Sequence, residues 1–63
     1  MPDATDTLPE DRRREIFAAL VAAQDDGVPV ARSRAQVADR FGLTREAVTD
    51  IEREGLDNDW PPL

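Results

Sequence analysis

The sequence predicts a small all-α fold, a three-helix domain whose last two helices form a C-terminal helix-turn-helix. Three observations lead there. Apolar residues recur at helical spacing in three stretches: Ile16, Phe17, Leu20 and Val21; then Val37, Ala38 and Phe41; then Val48 and Ile51. Between the second and third stretches stands Gly42, the residue type that leaves a helix most cheaply through a left-handed conformation. Small Ala38 falls where two steeply crossing helices approach, and Leu43, Val48 and Ile51 fill the angle between them.

The elements follow in order. Residues 1–7 are polar and acidic without periodicity, which predicts a disordered tail, leaving 8–63 as a single domain. Thr7 with Glu10 makes a capping box, and Pro9 suits a first helical turn, so the first helix is expected from about Leu8 to Gln24, with Ala23 beside its stripe. Arg12, Arg13 and Arg14 stand among Glu10, Asp11 and Glu15, three charges of each sign. That balance favours a solvated face with local ion pairs over a phosphate-binding patch. Asp25, Asp26 and Gly27 end the helix. Pro29 forbids its continuation, and Val28 and Val30 are expected to tuck under the helices as an extended clamp.

Ser33 is expected to cap the second helix, with Gln36 completing a capping box. Thr44 does the same for the third, and Gly55 reads as the residue just past its end. Leu56 should then extend the core. Trp60, the one tryptophan, should fold its ring back over the helices, while Pro61 and Pro62 keep the end extended. The alternative for Trp60, Pro61, Pro62 and Leu63 is an exposed hook that docks another protein, since Trp anchors are common at binding hot spots.

Composition narrows the function classes. A 63-residue chain makes one domain and buries only about 60% of its unfolded surface, so its stability margin is thin. It has no Cys, His or Lys, no metal or phosphate-loop motif, and three helices offer no deep pocket. Catalysis and cofactors are therefore not expected, and a zinc site would need carboxylates alone. No apolar run reaches membrane-span length and no signal-peptide pattern opens the chain, so the expectation is a cytoplasmic protein without a membrane partner. The net charge of −6 runs against the basic footprint usual for nucleic-acid binders. All eight basic residues are Arg, however, and each can make forked hydrogen bonds to phosphate or guanine.

The helix-turn-helix spacing is that of DNA-binding domains whose second helix enters the major groove; an ordinary αα-corner is the alternative. With Val48 and Ile51 inward, Arg45, Glu46, Thr49 and Asp50 are the expected base-reading positions. Arg45 can pair with guanine, Glu46 can accept from cytosine, and Thr49 can meet a thymine methyl. Arg32, Ser33, Arg34, Thr44 and Arg53 are the expected phosphate contacts. Residues 31–43 carry three arginines against one aspartate, whereas residues 44–54 carry two against four acids. Affinity should therefore be modest, with a shallow salt dependence.

The run from Gly42 to Leu56 (GLTREAVTDIEREGL) resembles the second part of region four of bacterial RNA polymerase sigma factors. The resemblance covers about residues 33–56. It rests on Gly42 with an aliphatic residue after it, Thr44-Arg45-Glu46, Val48, and the Ile51-Glu52 pair. It implies upstream-promoter reading by Arg45 and Glu46. The family's basic residues are replaced by Ala47 and Thr49, its Gln by Asp50, and its basic stretch after the helix by Glu54, Asp57 and Asp59. The other sigma regions are absent, so a complete sigma factor is not expected. The leading expectation is a transcriptional regulator bound to duplex DNA, with RNA polymerase, another transcription protein or a second copy as further partners. The other is an acidic interaction module of the same fold that docks polymerase, a sigma or anti-sigma factor, or itself.

Overall fold

The computed structural model describes residues 8–61. Among these residues there are three helices, α1 (Glu10–Asp25), α2 (Val30–Phe41) and α3 (Arg45–Asp57), each packed against the other two. The expected stripes meet in one core: Ile16, Phe17 and Leu20 from α1, Val37 and Ala38 from α2, Val48 and Ile51 from α3, and Trp60 beyond it. Val21, Phe41 and Leu43 pack around its margin. The tail expected at residues 1–7 lies outside the described residues, as do Pro62 and Leu63.

Both of the first two helices start at a proline rather than at the expected hydroxyl cap. α1 takes Pro9 as N-cap, and the Pro9 carbonyl accepts from the N–H groups of Arg12 and Arg13, each at 3.1 Å. Thr7 of the expected capping box lies outside the described residues; Glu10 and Asp11 occupy the first turn, where acids offset the positive end of the helix dipole. α2 takes Pro29 as N-cap and begins at Val30, three residues before Ser33. A proline just ahead of a helix costs nothing, because its missing N–H would have had no helical partner. Two sequence expectations fall with this. Ser33 is not a cap but a fully buried residue inside α2, and Val30 is helical and 48% exposed rather than part of an extended clamp.

The turn between α2 and α3 is as expected. Gly42 has φ 69° and ψ 36°, the left-handed conformation, and the next N–H, of Leu43, bonds back to the Ala38 carbonyl at 2.7 Å. That closes a Schellman turn on orphan carbonyls of α2. Thr44 then caps α3, its Oγ1 accepting from the Ala47 N–H at 3.1 Å.

α3 does not end at Gly55. The helix continues through Asp57, and Gly55 is buried inside it against the ring of Phe17. The left-handed exit comes four residues later, at Asp59 (φ 51°), where the Trp60 N–H bonds back to the Gly55 carbonyl at 3.0 Å. This turn brings the indole onto the core, 3% exposed and edge-on to Phe17 with ring centroids 6.1 Å apart. Leu56, by contrast, does not extend the core; it is 54% exposed. Left-handed backbone is strained for a residue with a Cβ, although Asp tolerates it better than most. Asp59→Gly is therefore expected to stabilise the fold by about 0.5–1 kcal/mol. Thermal unfolding followed by circular dichroism should show the midpoint rising by a few degrees; a fall would mean the Asp59 side chain contributes more than its strain costs.

Candidate nucleic-acid interface

The face expected to read bases is built by the Gly42–Thr44 turn and the first two turns of α3. Because Ala47, Val48 and Ile51 are buried, the residues between them are turned outward. Arg45, Glu46, Asp50 and Arg53 are exposed and Thr49 is half-buried. Arg45, Glu46, Thr49 and Asp50 line one shallow depression, and Arg45 also borders a second, open groove floored by Ala35, Ala38 and Leu43. Arg45 thus stands on the rim shared by the two concavities. The Thr49 hydroxyl donates to the Arg45 carbonyl at 2.9 Å, so its remaining capacity toward a ligand is as an acceptor.

The expected phosphate contacts divide. Thr44, Arg32 and Arg53 are exposed. Ser33 cannot reach a phosphate: it is buried, its Oγ donates to the Val30 carbonyl at 2.7 Å and accepts from Gln24 Nε2 at 3.2 Å. Arg34 is held by α3, its Nε and Nη2 both bonded to Glu52 Oε1 at 3.1 and 2.6 Å. Gln24 Nε2 also donates to the other Glu52 oxygen at 3.1 Å, so one polar cluster ties together all three helices. Arg34 is accordingly corrected from a phosphate ligand to a clasp between α2 and α3.

The arginine run on α1 is committed inside the chain as well. Arg12 pairs with Glu15 at 3.0 Å, and its guanidinium lies over the Phe41 ring. Arg14 pairs with Glu10 at 3.1 Å and lies over Trp60. Arg13 crosses to α3 and grips Glu54 with two nitrogens, at 2.8 and 3.1 Å. Local pairs at i,i+3 and i,i+4 were legible; the cross-helix pair was not.

These pairs change the charge of α3. In sequence, residues 44–54 hold two arginines and four acids. In the folded chain Glu52 and Glu54 are each neutralised by an arginine from another helix. Arg45, Glu46, Asp50 and Arg53 form the exposed charged positions of that segment. Among the described residues Arg32, Arg45 and Arg53 make no ion pair, and Arg40 makes only a ring contact with Phe41.

The expected docking hook is not available as drawn. Trp60 is part of the core, so it cannot anchor a partner without unfolding its own domain. Pro61 is exposed, while Pro62 and Leu63 lie outside the described residues. Among the described residues, no helix is long and apolar enough to cross a membrane.

Comparison with protein-family models, with curated proteins and with solved structures finds no match to this chain.

Proposed function

We propose that the chain binds duplex DNA, laying the N-terminal half of α3 in the major groove, and acts in transcription regulation. The observation that carries this reading is the placement of Arg45. It follows a capped turn at the start of α3, is exposed, makes no ion pair among the described residues, and stands beside Glu46 and Thr49 on one outward face. Arg45 would read guanine and Glu46 cytosine, with Thr49 and Asp50 beside them. Thr44, the first N–H groups of α3, Arg32 and Arg53 would hold phosphates. Pairing of Glu52 and Glu54 supports the reading, since it offsets two of the four acids of residues 44–54 that would otherwise repel a polyanion. The resemblance of residues 42–56 to sigma region four supports it too.

A second reading, an acidic protein-interaction module, is favoured by the net charge of −6. Fluorescence anisotropy with duplex DNA at low salt separates the two. DNA binding predicts a saturable signal that weakens with salt. Arg45→Ala should then cost about 1–3 kcal/mol on a preferred duplex, whereas Arg53→Ala should weaken all sequences alike. Absence of any duplex affinity at low salt would leave the interaction module as the reading that stands.

A further inference from the structure

α2 and α3 leave the Gly42–Thr44 turn as two arms, and a hydrogen-bonded tie joins them well away from that apex. Arg34 stands eight residues before Gly42 and Glu52 ten residues after it. Arg34 Nε and Nη2 both donate to Glu52 Oε1, while Gln24 of α1 donates to the other carboxylate oxygen. The Glu52 side chain is only 13% exposed, so solvent screens the pair little. Otherwise the two arms meet in the core through Val37, Ala38, Val48 and Ile51, all aliphatic. Aliphatic burial has no preferred direction, and helices packed that way cross at angles scattered by about 15–20° from one protein to another. Hydrogen bonds from two helices onto one carboxylate do have a direction.

We infer that Arg34 and Glu52 are positioning residues: their tie sets the angle between α2 and α3, and through that angle the sequence preference of α3. This role rests on the DNA reading above. Arg32, two residues from Arg34, is a proposed phosphate contact on one arm, whereas the proposed base readers Arg45 and Glu46 begin the other. Phosphate contacts fix the register in which base contacts read, so both arms fit one duplex at one angle only. A binding constellation tolerates about 10–20° of error, no more than the scatter that aliphatic packing leaves. Holding the fold together does not require the tie. A shielded charge pair exchanged for apolar groups of similar volume is often neutral or stabilising. That exchange orphans no buried group here, because Gln24 Nε2 keeps its bond to Ser33 Oγ.

The double variant Arg34→Met/Glu52→Leu of the full 63-residue chain tests this role. Three readouts are compared with the native chain: the thermal midpoint, the α2–α3 angle from NMR residual dipolar couplings, and the ratio of affinities for a preferred and a scrambled duplex. The midpoint should hold within about 5 °C or rise, and the angle should change or broaden. The affinity ratio should fall by about tenfold or more. Affinity for the scrambled duplex should stay nearly as it was, since one charge of each sign is removed. Glu52→Gln, which keeps an acceptor oxygen for Arg34, should retain most of the ratio. An unchanged angle, or an unchanged ratio at a changed angle, overturns the inference. So does a double variant that unfolds, because the pair would then be a clamp on the fold rather than a positioning device. A native chain without duplex affinity overturns the DNA reading and the specificity half of the inference with it; the couplings, which need no DNA, still decide whether the tie sets the angle.

Discussion

Trp60→Ala is expected to remove about 3–5 kcal/mol of stability, the usual cost of truncating a buried aromatic. A domain of this length has roughly 3–9 kcal/mol in total, so the variant loses a third or more of its stability and its unfolding midpoint falls steeply. The indole is 3% exposed, meets Phe17 edge-on and lies under the Arg14 guanidinium. Its loss would therefore remove apolar burial, an aromatic contact and a cation–π contact together. It would also leave the ring of Phe17 facing a void at the seam between α1 and α3. Circular dichroism with heat or urea is the measurement. A variant that kept its helicity and midpoint would mean that Trp60 is not needed by the core, and would return it to consideration as a docking residue.

Gly55→Ala is expected to destabilise the domain, against the rule for this substitution. In an ordinary helix interior, alanine is better than glycine by about 0.5–1 kcal/mol. Here a Cβ at position 55 would sit 2.6 Å from Phe17 Cγ and closer still to the ring atoms beyond it. The ring is fully buried and braced by Trp60, so it has nowhere to swing. Either α3 must move away from α1 or the aromatic pair must come apart. The overpacking cost is about 1–3 kcal/mol or more. Combining Gly55→Ala with Phe17→Leu, which withdraws the ring, should recover part of the loss; additive effects would deny the clash. A Gly55→Ala variant more stable than the native chain would show that the two helices approach less closely than described.

These two residues mark what could be read in the sequence and what could not. The three apolar stripes and the Gly42–Thr44 turn were legible because period, left-handed glycine and hydroxyl cap are local signals. Trp60 was legible as core because so small a domain has few other large apolar groups. Gly55 was misread because a glycine near the end of a helical pattern usually stops it; here it makes room for a ring 38 positions earlier in the chain. The stop fell to Asp59, a residue type that only occasionally takes the left-handed role. Ser33 was misread for a related reason. A hydroxyl before an apolar stripe suits a cap equally well as an inward-facing residue on the first turn, and Pro29 decided the start of α2.

The candidate site was legible in its positions but not in its electrostatics. Arg45, Glu46, Thr44 and Arg53 lie on the surface that the helical period assigned them. Arg34 and Glu52 are 18 residues apart, and Arg13 and Glu54 are 41 apart. No local pattern couples such residues. Their pairing withdraws Arg34 from the expected phosphate contacts and discharges two acids of α3, so the surface offered to a partner differs from the sum of its sequence charges.

Selection from a random duplex library by the full chain at low salt tests the reading of α3 most directly. Enrichment of a short motif by the native chain, lost with Arg45→Ala in a variant that keeps its helicity, is the expected result. A pool that stays unenriched, or a motif that Arg45→Ala leaves unchanged, would contradict base reading by this helix.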